Sequence, residues 1–198
     1  MYRFIESIRL ENGRMGNLAY HQSRMNRAIS EFYKNYSEIN LEEFLASCPM
    51  PSVGLHKIRL IYNHEIQSIQ ISHYTPRKID RLRVVHSDTI SYTHKFEDRG
   101  ELEKLAAGKE NCDEVIIVKN NKVTDTSFAN LVFKREGNWI TPSSYLLDGT
   151  MRQQLLDQKV IFEEEILLSD LSKFEKVKLI NSMLLFDAPE IDVSQIVH

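Results

Sequence analysis

Runs of alternating residues broken by asparagine-bearing turns most constrain what this chain can fold into. In residues 2–10 the apolar Phe4, Ile8 and Leu10 keep one phase, and Glu11-Asn12-Gly13-Arg14 follows them. Alternation has the period of a strand, and Asn-Gly reaches positive φ cheaply, which predicts a hairpin. Asn63-His64 separates predicted strands at Lys57–Tyr62 and Ile66–His73. Asn120-Asn121 separates Glu114–Lys119 from a run that starts at Val123. Further strands are expected at Met15–Leu18, Arg81–His86, Asn130–Lys134, Trp139–Thr141 and Val177–Ile180.

Helices are fewer. From Ala19 to Tyr33 the period lengthens, and Met25, Ala28, Ile29 and Phe32 fall on one face. Asn17 is the expected cap of that helix, and Arg24 is expected on its polar side. Leu41–Ser47 is a short helix stopped by Pro49-Met50-Pro51. Glu101–Ala107 and Met151–Gln158, the latter after Gly149, complete the set. The polar stretch Ser87 to His94 reads as a connection. The expected fold class is therefore α/β (α+β), with a small lobe over residues 1–88, a connection at 89–94, and a larger strand-rich lobe over 95–198.

Composition excludes several functions. At roughly 100–200 residues per domain, 198 residues allow one large domain or two small ones. Apolar residues at 42% and charged residues at 27% are ordinary for a globular chain and argue against disorder. With 25 basic and 28 acidic residues the net charge is -3, not the basic balance of a nucleic-acid binder. No run reaches the roughly 18 apolar residues of a membrane span. The N-terminal Met-Tyr-Arg-Phe-Ile-Glu carries charges inside its apolar stretch, unlike a signal peptide. Two distant cysteines, Cys48 and Cys112, fit a reducing cytoplasm. The seven histidines show no HxxxH or HExxH spacing, so no metal site is expected.

A chemically coherent set remains: Lys95 just past the connection, Asp125 at the close of a strand, Gly149-Thr150-Met151-Arg152 opening a helix, Asn181 and Ser182 ending a late strand, and Arg24 on the first helix. A phosphorylated pyridine aldehyde needs such groups. The aldehyde takes an amine, the ring nitrogen takes a carboxylate, and the phosphate takes helix N-terminal N–H groups and a guanidinium. Taken singly, each residue has a plainer reading. Lys95 beside Glu97 and Asp98 suits a solvated ion pair, Asp125 suits a turn, and Asn130 suits a brace for its own turn.

In order along the chain, these motifs resemble the class IV aminotransferases, the fold-type IV enzymes that use pyridoxal phosphate (PLP). His21-Gln22-Ser23-Arg24-Met25 is similar to the family's HxxRL helix start, and Lys95-Phe96-Glu97-Asp98-Arg99 to its lysine segment. Asp113-Glu114-Val115-Ile116, Asp125-Thr126-Ser127-Phe128-Ala129-Asn130-Leu131, Thr141-Pro142 and Gly149-Thr150-Met151-Arg152 are similar to its long central signature. Asn181-Ser182-Met183-Leu184 is similar to its late phosphate loop.

The resemblance implies Lys95 as the Schiff-base lysine, Arg24 as a phosphate ligand and Asp125 facing the pyridine nitrogen. It also implies phosphate contacts from Gly149, Thr150, Met151, Asn181 and Ser182, and a cofactor cleft between two lobes that are short at both ends. A homodimer acting on a small amino substrate is expected, with no nucleic-acid or membrane partner. Asp125 departs from the family's usual Glu by one methylene. Arg59, between Ile58 and Leu60, and Arg99, four residues past Lys95, are each either a substrate contact or a surface charge. The leading expectation is transamination of an amino-acid-like substrate. Two alternatives stand beside it: an aminodeoxychorismate lyase releasing pyruvate and 4-aminobenzoate, and a degenerate module that binds PLP or a metabolite without turnover.

Overall fold

The computed structural model describes residues 1–198. The chain forms two compact units: Met1–Pro76 with His94–Asp98, and Arg77–Thr93 with Arg99–His198.

In the first unit β1 (Phe4–Glu11), β2 (Arg14–Met15), β3 (Leu55–Tyr62) and β4 (Ile66–His73) form an antiparallel sheet in the order β2-β1-β3-β4. Asn12 (φ 49°) and Gly13 (φ 77°) take the positive φ that a tight hairpin needs. The register pairs Phe4 with Tyr62, Glu6 with Leu60 and Ile8 with Ile58. Side chains alternate across a strand, so Phe4, Glu6, Ile8 and Leu10 share one face with Ile58, Leu60 and Tyr62. Helices α1 (Leu18–Phe32) and α2 (Leu41–Ala46) supply Met25, Ala28, Ile29, Leu41 and Leu45 to the same core.

Two expectations about α1 need correction. Asn17 lies in the left-handed region (φ 55°) and makes no side-chain cap bond; its backbone carbonyl accepts from His21 N instead. Arg24 is on the buried face with Met25 and Ala28, not on the polar one. An acid on the facing strand makes this possible, as shown below.

The second unit has two sheets. In one, β13 (Ile196–Val197), β5 (Leu82–His86), β6 (Glu114–Lys119) and β7 (Lys122–Val123) lie in the order β13-β5-β6-β7, with β5 and β6 parallel. Asn120 (φ 49°) and Asn121 (φ 62°) close the β6–β7 hairpin. The other sheet runs β10-β9-β8-β11-β12, built from β8 (Asn130–Arg135), β9 (Asn138–Pro142), β10 (Phe162–Glu164), β11 (Lys176–Ile180) and β12 (Ile191–Asp192). Val84, Ile116 and Val118 of the first sheet share a core with Leu131, Phe133, Val177 and Leu179 of the second. On the second sheet's other side, Val132 and Ile180 pack against Met151 and Leu155 of α4 (Thr150–Asp157). The remaining helix is α3 (Gly100–Ala107).

This division differs from a single junction at 89–94. Parallel pairing of β5 with β6 draws residues 82–86 into the second unit. Lys95 belongs to the first, because Ile5 N donates to Lys95 O at 2.9 Å, Glu97 N donates to Arg3 O at 2.8 Å, and Phe96 bridges Phe4.

Candidate active site

The residues singled out in the sequence fall into two groups, one in each unit. In the first unit the centre is Glu6, which is fully buried. It stands in phase with Phe4, Ile8 and Leu10 on the core face of β1, where a lone carboxylate would be very costly. Three polar side chains surround it. Arg24 Nε donates to Oε1 at 2.9 Å, and Arg24 Nη2 donates to Oε2. His21 Nδ1 lies 2.6 Å from Oε2, and the Tyr62 hydroxyl also bonds the carboxylate. Burial alone would raise the Glu6 carboxyl, but the Arg24 charge and the His21 hydrogen bond override it and hold it down at about 2. Burial lowers His21, outweighing its bond to Glu6. Nδ1 faces the Glu6 carboxylate, and Nε2 has no partner in its buried position.

A pH effect follows. A carboxyl held below its ordinary 4.5 contributes stability that is complete above that value and lost as pH falls toward 2. Denaturant unfolding of the intact chain should therefore lose on the order of 3 kcal/mol across that window. Glu6→Gln should lack this acid limb, measured as unfolding midpoint against pH; an unchanged limb would contradict the assignment.

Lys95 is half-buried, its backbone tied to β1, and its charge is felt at His21. Arg59 pairs with Ser7 in the register, on the face opposite Glu6. Its guanidinium is 3.9 Å from Glu97, a weak and partly exposed ion pair.

In the second unit Asp125 is 4% exposed. Its Oδ2 accepts from the backbone N–H groups of Leu146 and Leu147, both at 2.9 Å, and Oδ1 accepts from Asn130 Nδ2 at 2.8 Å. Burial pushes its carboxyl up to about 6 against these hydrogen bonds. Asn130 also donates to Leu147 O at 2.9 Å, so it braces the 146–149 turn as its plainer reading expects. Gly149 follows that turn and begins α4 without a capping side chain. The first N–H groups of a helix have no acceptor within it, and in α4 these belong to Thr150 and Met151. The Met151 side chain is spent in the core with Val132 and Leu155.

Gly149 is held to glycine by contact, not by φ. A Cβ there would stand 1.9 Å from Asn130 Oδ1. Asn130 cannot yield without releasing Asp125, so Gly149→Ala should destabilise the chain by about 1–3 kcal/mol and loosen cofactor binding, checked by thermal unfolding and a PLP titration. Wild-type values for both would show that the turn gives way freely.

Asn181 accepts from Met183 N at 2.8 Å and Leu184 N at 2.9 Å, and it donates to Phe128 O at 3.2 Å. Its amide thus shapes the late turn, leaving half-buried Ser182 as that turn's hydroxyl. Arg99 Nη2 donates to Ser127 O at 2.7 Å and so holds the loop that joins Asp125 to β8. Glu114, also buried, accepts from Ser127 N at 3.2 Å on the other side of the same segment.

No structural role for Glu6, His21 or Tyr62 is read from the sequence, although one signal was there. An acid in the apolar phase of a strand must find a cation, and Arg24 lies in the apolar phase of the next helix.

The donor set suits PLP. The first unit offers an amine at Lys95, a guanidinium at Arg24 and a buried, unpartnered ring nitrogen at His21 Nε2. The second offers an uncapped helix start at Thr150 and a buried carboxylate with three of roughly four acceptor positions taken.

The profile of the Amino-transferase class IV family matches residues 3–188. The chain belongs to this family, and its fold is the family's fold. It is 37% identical over 185 residues to an uncharacterized protein of Haemophilus influenzae, covering 92% of this chain and 98% of that one. It is 36% identical, with a TM-score of 0.88, to the crystal structure of a protein of Haemophilus somnus 129pt described as a putative 4-amino-4-deoxychorismate lyase; 92% of this chain and 97% of that chain are covered. A segment of 65 residues is 45% identical to a Schizosaccharomyces pombe protein described as a putative aminodeoxychorismate lyase, covering 30% of this chain and 28% of that one.

Proposed function

We propose that this chain is a PLP-dependent enzyme acting on a small amino-bearing substrate, and that its reaction is the 4-amino-4-deoxychorismate lyase reaction. The buried Asp125 carboxylate, fixed by three N–H donors beside the start of α4, carries the cofactor assignment. A carboxylate immobilised in that way suits a protonated ring nitrogen. PLP, when bound, supplies an electron sink for the carbon that bears the substrate amine. Lys95 would hold PLP through its amine and, when that amine is free, would take and return a proton at the substrate carbon as general base and acid. Asp125 would face the ring nitrogen and favour its protonated form. Thr150 and Met151 N–H groups, the Ser182 hydroxyl and Arg24 would supply the donors for the phosphate. Arg59 and Arg99 are the candidate substrate contacts.

The lyase reading draws on the two relatives above whose descriptions state an activity. The enzyme acts as a homodimer in the cytoplasm under this proposal. The test is direct. Purified chain with PLP and 4-amino-4-deoxychorismate, and no keto-acid acceptor, should release pyruvate and 4-aminobenzoate in equal amounts. Release of neither, together with amino-group exchange between an amino acid and a keto acid, would assign transamination instead.

A further inference from the structure

The Glu6 cluster carries an inference that rests on the PLP reading and extends it. A buried ion pair is weak support for stability, since apolar residues of similar size often serve as well or better. The neighbours of Glu6 in its phase are Phe4 and Ile8, so packing alone asks for an apolar side chain at this position. The chain instead buries a carboxylate, an arginine, a histidine and a tyrosine hydroxyl together. Their geometry is directional. Glu6 grips the guanidinium along one edge, through Nε and Nη2. A planar fork held along one edge cannot rotate about its own axis, whereas a point-like ammonium could. Glu6 in turn is held by His21 at 2.6 Å and by Tyr62. The cluster is not closed on itself, because His21 Nε2 is buried without a partner.

We propose that Glu6 is a positioning residue for phosphate recognition. It fixes the plane of the Arg24 guanidinium, with His21 and Tyr62 fixing Glu6, so that Arg24 meets a phosphate monoester as a pre-set fork. The ordering of a long side chain is then complete before the ligand arrives. Glu6 touches neither cofactor nor substrate in this role, and its effect runs wholly through Arg24.

The experiment compares PLP with pyridoxal, which lacks the phosphate, as ligands of the full chain freed of cofactor. The wild-type chain should prefer PLP. Glu6→Gln should reduce that preference on the order of 10- to 100-fold while leaving pyridoxal affinity near wild type. Arg24→Ala should reduce it as far, and the double variant no further, because the two residues act as one unit. A merely structural role would weaken both ligands alike. Tyr62→Phe keeps the volume and removes one donor from Glu6. It should reduce the preference a few-fold, and it keeps the test open should Glu6→Gln fail to fold. A variant pair that retains the wild-type preference, or losses that add in the double variant, would overturn the proposal for Glu6 alone. A wild-type chain that binds neither compound would overturn the PLP reading as well.

Discussion

Lys95→Ala should abolish turnover and leave the fold standing. The segment that carries Lys95 is anchored by its backbone: Lys95 O accepts from Ile5 N, Glu97 N donates to Arg3 O, and Phe96 bridges Phe4. Alanine keeps these backbone contacts, so the segment should stay in place and the chain should still fold. The catalytic loss should reach at least roughly 10³-fold, since one substitution removes both the covalent anchor and the group that moves the proton. Two measurements check this. Steady-state release of product gives the rate. Borohydride reduction followed by peptide mass mapping shows where the cofactor is fixed: on Lys95 in the wild type, and nowhere in the variant. A variant within ten-fold of wild type, or a label that moves to another lysine with activity retained, would remove Lys95 from the mechanism.

Asp125 should give the second large effect, and it separates charge from packing. Asp125→Ala leaves the N–H groups of Leu146 and Leu147 and the Asn130 amide without their acceptor. At about 1–3 kcal/mol for a buried group left unsatisfied, the total cost should be on the order of 3–5 kcal/mol. Asp125→Asn keeps the volume and removes the charge, and it should cost about 10²–10³-fold in turnover by failing to hold the ring nitrogen protonated. The pH dependence runs opposite to that of Glu6. Burial raises the Asp125 carboxyl from 3.8 to about 6, so the folded chain keeps this proton where the unfolded chain has lost it. Stability should therefore fall as pH rises from about 4 to about 6 and level off above, by roughly 3 kcal/mol in all. The asparagine variant should lack that slope. An asparagine variant with both full activity and the wild-type pH profile would leave Asp125 as a turn residue only.

The strands and their turns were legible in the sequence because their signals are local. Asn12-Gly13 and Asn120-Asn121 demand positive φ, and alternating residues demand a sheet face. The order of Lys95, Asp125 and Gly149 pointed to the family for the same reason. Each motif is a short run whose meaning survives without its neighbours in space. What stayed hidden was pairing between distant segments. Nothing near Lys95 in sequence says that its segment lies along β1, and nothing near Leu82 says that β5 pairs with β6. The Glu6–Arg24 bond joins positions 18 residues apart on a strand and a helix. Asn181 resembles a phosphate contact until its amide is seen bonded to Met183, Leu184 and Phe128.

The sequence by itself determined the α/β class, the family and the chemical types available: one amine, one acid and one helix start in the right order. Propensity, alternation and turn chemistry act over a few residues, so a linear reading reaches them. Only the tertiary structure decided how those groups are held. It buried Arg24 against Glu6, wrapped Asp125 in three N–H donors and closed Gly149 onto Asn130, because a buried polar group must find its partner wherever in the chain that partner lies.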